Sequence, residues 1–221
     1  MNLLALVARR LVRRQPLALG IDDLRWVVLD VEASGLDASS DRLLAIAAVA
    51  VRFDGRLARI VLGDSFEVVL RQEVSTADKA NILLHGIGIG AQRQGVEPGK
   101  ALRDFVGYIG NSPLIAFNAP FDRELILRAF DAALGRRPAN PWLDLEPVAA
   151  VLHPQVKARV LDEWMAQMHI TCAARHQAAA DALATAELLL KLWPAALREM
   201  GGKAGFAAAC RLAAHRKWLP Q

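Results

Sequence analysis

The chain has 221 residues, 54% of them hydrophobic, and its 27 basic and 23 acidic side chains give a formal net charge of +4. This length suits one domain with a substantial core and is too short for two comfortable domains. No apolar stretch approaches the roughly 18 uncharged residues that a membrane-spanning helix needs, so we expect no membrane span. The net charge permits an anionic partner without requiring one.

Both ends of the sequence are basic. Residues 1–22 are predicted to form a basic amphipathic extension and residues 196–221 a basic helical tail, on either side of a main domain at 23–195. Arginines interrupt the apolar opening, and Cys172 and Cys210 lack the spacing of a metal site or a disulfide framework. These features favour a cytoplasmic protein with reduced thiols over a secreted one.

Three apolar segments near the start of the chain are predicted to form strands. Turn residues bound them, with Asp54-Gly55 between the second and the third, and the strands cover Trp26–Asp30, Leu43–Phe53 and Ser65–Arg71. Short connections between consecutive strands indicate antiparallel pairing.

Helices dominate the sequence from residue 75 onward. Apolar periodicity and end signals predict helices at Thr76–Leu84, Pro98–Ile109, Pro120–Leu134, Val160–Met168 and Gln177–Met200. Short apolar runs at Leu114–Phe117 and Trp142–Leu145 are predicted to be further strands. This order indicates an α/β fold with a mixed five-stranded sheet, three antiparallel strands followed by parallel ones, covered by helices.

Two carboxylates stand two residues apart at the end of the first predicted strand. Asp30 and Glu32 lie in an apolar run that leads to Gly35, and alternate residues of a strand project from the same face. Two like charges near a core need a neutralising cation, and a divalent cation that prefers oxygen ligands fits best. A solvated strand end is the simpler alternative.

A third carboxylate, Asp122, falls in the first turn of a predicted helix. Asn118 is a favourable N-cap for that helix, and Pro120 suits a first-turn position. The helix dipole favours a carboxylate there by about 0.3 to 1 kcal/mol, so Asp122 taken alone has an ordinary structural explanation.

His176 and Asp181 are five residues apart at the start of the longest predicted helix. A five-residue step turns about 140° on a regular helix, so the two side chains share a face only if His176 lies on the preceding loop. A histidine held beside a rigid carboxylate suits general-base work, although a single histidine is more often structural.

Together these segments resemble the DEDDh family of 3′-to-5′ exonucleases, and the chain is similar to the proofreading epsilon subunit of bacterial DNA polymerase III. The resemblance covers about residues 26–190. It is carried by Asp30-Val31-Glu32 with Gly35-Leu36, by His85-Gly86-Ile87, by the run from Asn118 to Asp122, and by the run from His176 to Asp181. Each motif is weak alone, whereas their joint order and spacing are specific.

The resemblance implies a ribonuclease H-like fold and two divalent cations, Mg²⁺ or Mn²⁺. The implied metal ligands are Asp30, Glu32, Asp122 and Asp181, and the implied general base is His176. The same resemblance places Ser34, Gly35 and Leu36 against the 3′-terminal nucleotide, with His85 and Phe121 lining its base and sugar. Phe117 stands where relatives often have histidine, and we expect it to pack rather than to form a hydrogen bond.

The function expected from the resemblance is a metal-dependent 3′-to-5′ exonuclease that releases nucleoside 5′-monophosphates from single-stranded or frayed DNA. Proofreading for a polymerase is left open. RNA is an alternative substrate, because stacking and phosphate contacts do not require the sugar to lack a 2′-hydroxyl. An alternative of another class is a non-catalytic nucleic-acid-binding or polymerase-associated scaffold subunit that docks a protein partner through the terminal extensions.

Overall fold

The computed structural model describes residues 20–74, 79–202 and 205–218. A five-stranded sheet lies at its centre, with the order β3-β2-β1-β4-β5. The strands are β1 (Arg25–Ala33), β2 (Leu43–Asp54), β3 (Leu57–Val69), β4 (Leu114–Ala116) and β5 (Trp142–Asp144). The first three pair antiparallel, β4 pairs parallel with β1, and β5 pairs parallel with β4. The predicted mixed sheet is therefore confirmed.

Eight α-helices surround the sheet within the described residues. They are α1 (Lys79–His85), α2 (Ile89–Gln94), α3 (Pro98–Ile109), α4 (Ala119–Leu134), α5 (Leu145–Leu152), α6 (Leu161–Met168), α7 (Ala178–Glu199) and α8 (Phe206–Ala214), with a final 3-10 turn at His215–Trp218. Within the ranges that the structure covers, no helix is long and apolar enough to cross a membrane.

Alternate residues of β1 feed two hydrophobic cores, one on each face of the sheet. Trp26 and Val28 pack with apolar side chains from α5, α6, α7 and α8. Val27 and Leu29 pack with those of α3 and α4 on the opposite face. Asp30 and Glu32 continue the even-numbered series, so they project from the face that α7 covers.

Several element boundaries differ from the sequence predictions. β3 begins at Leu57 rather than Ser65, because this edge strand is largely exposed and lacks an apolar signal. The strand predicted to end at Leu145 stops at Asp144, whose carboxylate accepts a hydrogen bond from the backbone of Glu146 and starts α5. The short helix α2 carries too little apolar periodicity to be predicted. Residues 75–78 of the first predicted helix lie outside the described ranges.

Asn118 precedes α4 but does not cap it. Its backbone is left-handed, with φ of 62°, and its side chain makes no cap hydrogen bond. The carboxylate of Asp144 accepts a hydrogen bond of 3.0 Å from the backbone N–H of Asn118 instead. The turn that leads into α4 is therefore held from the neighbouring strand, which a local sequence pattern does not reveal.

The C-terminal segment packs on the main core. The rings of Phe206 and Trp26 meet edge to face at 5.7 Å, and the backbone N–H of Phe206 donates to Asp23 over 2.7 Å. Helix α7 crosses the predicted boundary at 195 without interruption, although it contains Pro194. The division of the chain at 22 and 195 stays a prediction, and most of the extension at 1–22 lies outside the described residues.

Candidate active site

A cavity of about 190 Å³ opens where β1 ends, between α1, the start of α4 and the start of α7. We call it the carboxylate cavity. Nine of the ten site residues predicted from the sequence line it, namely Asp30, Glu32, Gly35, Leu36, His85, Phe121, Asp122, His176 and Asp181. Segments far apart in sequence thus converge on one surface.

Ser34 is the predicted site residue that does not line the carboxylate cavity. Its hydroxyl donates a hydrogen bond of 2.8 Å to the carboxylate of Asp41 and accepts one from the backbone of Arg42. The same Asp41 carboxylate lies so close to Gly35 that an added Cβ would stand 2.5 Å from it, so this position requires glycine. Ser34 and Asp41 therefore shape the loop that presents Gly35 and Leu36.

Helix α4 fastens this loop. The guanidinium of Arg128 donates to the backbone carbonyl groups of Ala38 and Asp41 over 2.6 and 2.8 Å. Sequence reasoning missed both Asp41 and Arg128, because neither contacts the cavity and neither belongs to a motif. Leu36 at the loop tip is 91% exposed, which leaves an apolar side chain free at the cavity rim.

The four carboxylates repel one another in a poorly hydrated setting. Asp122 and Asp181 are buried, with exposures of 3% and 6%. Burial, followed by the charges of Asp122, Asp181 and Glu32, raises the pKa of Asp30 well above its usual range. Burial also raises the pKa of Asp122, and burial with the charge of Asp181 raises the pKa of Glu32 to about 8. Such a group of acids needs a compensating positive charge.

Arg175 supplies part of that charge. Its guanidinium forms an ion pair with Asp181 and a second one with Asp162 at the start of α6. The Arg175 charge also opposes the rise in the pKa values of Asp30 and Glu32. The sequence placed this arginine directly before His176, and a cation adjacent to an acidic motif was the signal that could have identified it.

His176 lies before α7, as its spacing from Asp181 predicted. Its backbone is left-handed, with φ of 61°, and its N–H donates to the Asp181 carboxylate over 3.1 Å. The side chain is exposed at the cavity rim, while Asp181 is held inside on the helix. This turn allows the imidazole and the carboxylate to face one cavity despite their five-residue separation.

His85 is held as a neutral donor in the cavity wall. Its Nδ1 accepts a hydrogen bond of 2.9 Å from the backbone N–H of Ile87. Because Nδ1 is an acceptor, Nε2 carries the proton and donates to the side-chain oxygen of Asn81 over 2.6 Å. Burial lowers the pKa of His85, which favours this neutral form. His85 therefore offers a fixed polar surface rather than a proton shuttle.

The donor set fits hard divalent cations. All four carboxylates offer oxygen, and Oε1 of Glu32 is buried without a hydrogen-bond partner, which a cation would satisfy. As they stand, no three His, Cys, Asp or Glu side chains of the described residues are arranged to hold a metal ion. One of the predicted metal ligands, Asp181, is instead engaged in an ion pair with Arg175. Metal loading would therefore require these side chains to move.

Sequence comparison decides the family. A family model described as an exonuclease matches residues 27–189, a range that contains all four carboxylates and His176. The chain belongs to this exonuclease family. The family predicted from the sequence motifs is thereby confirmed.

Two curated bacterial relatives illustrate the match. A DNA polymerase III subunit epsilon-like protein from Rhodobacter capsulatus is 33% identical over 178 residues, which is 79% of this chain and 24% of the relative. A PolC-type DNA polymerase III from Clostridium perfringens is 31% identical over 169 residues, which is 76% of this chain and 11% of the relative. The chain thus spans less than a quarter of the length of either protein.

Solved structures agree on the fold. Exonuclease I aligns with a TM-score of 0.66 at 16% identity, over 80% of this chain and 44% of that chain. A zinc-bound complex of E. coli exonuclease I with single-stranded DNA aligns with a TM-score of 0.64, over 43% of that chain. At this identity the likeness shows the fold alone, and it confirms the ribonuclease H-like architecture.

Proposed function

We propose that this exonuclease removes nucleotides from the 3′ end of single-stranded or frayed DNA and releases nucleoside 5′-monophosphates. The observation that carries the proposal is the convergence of four carboxylates and one exposed histidine on a single cavity with an apolar rim. A cavity of about 190 Å³ suits one terminal nucleotide better than a stretch of strand. The match of residues 27–189 to an exonuclease family supports exonuclease rather than endonuclease action.

The cavity walls suit the 3′-terminal nucleotide. Phe121 offers a ring on which a base stacks, and Leu36 offers an apolar surface at the tip of its loop. His85 presents a neutral imidazole whose two nitrogen atoms already have partners, so it contributes shape more than hydrogen bonding. Contacts of this kind recognise an end of any sequence.

The charged residues divide the chemical work. Asp30, Glu32, Asp122 and Asp181 are the proposed ligands of two Mg²⁺ or Mn²⁺ ions. When bound, a pair of such ions stabilises the attacking and leaving oxygens of an in-line displacement at phosphorus. His176 accepts the proton of the attacking water, since its imidazole is exposed at the rim and its backbone is tied to Asp181.

Degradation of end-labelled DNA tests the proposal. With Mg²⁺, a 3′-labelled single strand should yield labelled mononucleotide at once, while a 5′-labelled strand should shorten stepwise. Asp30→Asn should abolish both, whereas Asp54→Asn, which changes an exposed carboxylate at the end of β2, should not. Absence of 5′-mononucleotide, or activity that survives Asp30→Asn, would overturn the proposal.

RNA remains the second candidate substrate. The residues that line the carboxylate cavity include stacking and carboxylate groups, neither of which distinguishes ribose from deoxyribose. Digestion of matched DNA and RNA strands under the same conditions separates the two. A lower KM with equal kcat for one polymer would identify the preferred sugar.

A scaffold role without catalysis is the candidate of another class. The relatives named as polymerase III proteins support an association with a polymerase, for which the terminal extensions are the proposed contacts. A proofreading role and a cytoplasmic location belong to the exonuclease proposal instead. Calorimetric titration with Mn²⁺ distinguishes a scaffold, which should show no binding that disappears in Asp181→Ala.

A further inference from the structure

A second and larger cavity adjoins the carboxylate cavity. It has a volume of about 670 Å³ and lies between the end of β4, the start of α5, the start of α6 and the final 3-10 turn. Phe117 and Asn118 line both cavities, so the two are neighbours across the turn that leads into α4. We call the second one the basic cavity.

Cationic side chains predominate in the basic cavity. Arg159, Arg216 and Lys217 line it together with two carboxylates, Asp144 and Glu146. Oε1 of Glu146 lies 3.7 Å from Nε of Arg216, so these two charges offset each other in part. Arg159 and Lys217 are exposed. The balance of three cations to two carboxylates leaves the cavity favourable to an anion.

One of the two acidic groups in this cavity, the carboxylate of Asp144, is hydrogen-bonded to the backbone. Asp144 accepts hydrogen bonds from the N–H groups of Asn118 and Glu146 over 3.0 and 3.2 Å. It thus holds the turn between the cavities. Burial raises the pKa values of both Asp144 and Glu146.

We propose that the basic cavity binds the phosphate backbone of the substrate strand upstream of its terminal nucleotide. This inference rests on the proposed function, because it takes the terminal nucleotide to occupy the carboxylate cavity. A strand that leaves that cavity past Phe117 and Asn118 enters the basic cavity directly. Phe117 then offers a stacking surface at the junction, and Arg159, Arg216 and Lys217 meet the phosphates that follow.

The size of the basic cavity supports a strand segment. At about 670 Å³ it falls within the range of about 300 to 1,000 Å³ that is usual for ligand sites, and it exceeds the neighbouring cavity severalfold. Long, exposed cationic side chains bind phosphates without fixing the sequence. The C-terminal segment would therefore act in strand binding and not only in packing.

Two substrates of different length test the proposal. The p-nitrophenyl ester of thymidine 5′-monophosphate fills only the carboxylate cavity, whereas an oligothymidylate of about eight nucleotides would reach both cavities. For Arg159→Ala/Arg216→Ala/Lys217→Ala, the KM of the oligonucleotide divided by that of the ester should rise about tenfold. The slope of log KM against log salt should fall by roughly 0.7 for each phosphate that the variant no longer neutralises.

Matched variants guard against a folding artefact. Arg159→Ala/Lys217→Ala changes only exposed side chains and should give part of the same rise. Arg56→Ala/Arg59→Ala/Arg136→Ala removes equal charge from exposed sites that line neither cavity, and should leave the ratio unchanged. If the wild-type protein hydrolyses the ester but the ratio does not move, the basic cavity is not a strand site. If it does not hydrolyse the ester and releases no mononucleotide from the oligothymidylate either, the proposed function itself fails.

Discussion

Arg175 forms an ion pair with Asp181, the carboxylate that the family motif assigns to metal binding. The same arginine forms an ion pair with Asp162 at the start of α6. The Arg175 guanidinium thus supplies part of the positive charge that a metal ion would otherwise be expected to supply. Metal binding and the arginine therefore compete for one carboxylate.

Replacement of Arg175 should tighten metal binding and weaken the metal-free fold. In Arg175→Ala, Mn²⁺ no longer displaces an ion pair, so its dissociation constant should fall about fivefold or more. Without metal, the carboxylates lose their compensating charge, and Tm should fall by a few degrees. Calorimetry and thermal melts measure both effects. Arg198→Ala, at an exposed site near the end of α7, is the control. Weaker Mn²⁺ binding in Arg175→Ala would mean that the arginine supports the site instead.

His176 should matter for catalysis and not for metal binding. His176→Ala removes the proposed proton acceptor, so kcat should fall by about 10²- to 10⁴-fold while Mn²⁺ affinity stays unchanged. His169→Ala is a close control, because His169 is also exposed and left-handed but lines neither cavity. Steady-state kinetics with calorimetry gives both readouts. Loss of Mn²⁺ binding in His176→Ala would contradict the division of roles.

Leu36 should contribute to substrate binding and not to stability. Its side chain is 91% exposed, so Leu36→Ala removes no core contact and Tm should not change. Burial of part of a leucine against a nucleotide contributes on the order of 1 kcal/mol, so KM should rise by up to about tenfold. Leu57→Ala, at an exposed leucine that starts β3, should change neither quantity. An unchanged KM in Leu36→Ala would place the terminal nucleotide elsewhere.

The ion pair between Arg25 and Asp64 should make stability depend on acid pH. Arg25 is buried and donates to both oxygens of the carboxylate, over 2.9 and 2.6 Å. These hydrogen bonds lower the pKa of Asp64 below its usual 3.8. The unfolded chain therefore binds more protons in this range. The stabilisation is fully present above about 3.8 and is lost as the pH falls through the lowered pKa of the folded state.

Asp64→Asn should abolish this acid dependence. At neutral pH it leaves the Arg25 guanidinium without its charged partner, at a cost of about 1 to 3 kcal/mol, which corresponds to a fall in Tm of roughly 2 to 4 °C per kcal/mol. Denaturant unfolding between pH 2 and pH 7 measures the difference. Asp104→Asn, at an exposed carboxylate on α3, should follow the wild-type curve. A wild-type and a variant curve that stay parallel would exclude the ion pair as the cause.

Phe206 tests whether the C-terminal segment belongs to the main fold. It is buried against Trp26, so Phe206→Ala should cost about 3 to 5 kcal/mol of unfolding free energy. A chain that ends at residue 200 should lose at least as much. If both variants melt as the wild-type protein does, the tail is independent, as the predicted boundary at 195 implies.

The sequence by itself determined the family, the mixed sheet and the set of acids. Local patterns predict these features. Alternation in a strand, the spacing of His176 from Asp181 and the order of the motifs can all be read directly from the sequence. The position of His176 before the helix could be predicted because five residues do not fit one helix face, whereas its left-handed backbone could not.

Only the tertiary structure decided what surrounds those acids. Arg175 reaches Asp181 and Asp162 from different elements, and Asp144 holds the backbone of Asn118 across 26 residues. Arg159, just before α6, and Arg216, in the final 3-10 turn, likewise line one cavity because both segments pack on the core. Contacts between distant segments leave no periodic trace, because the position of each partner depends on how the helices pack on the sheet. Charge compensation therefore depends on the fold, whereas the family can be recognised from the motifs alone.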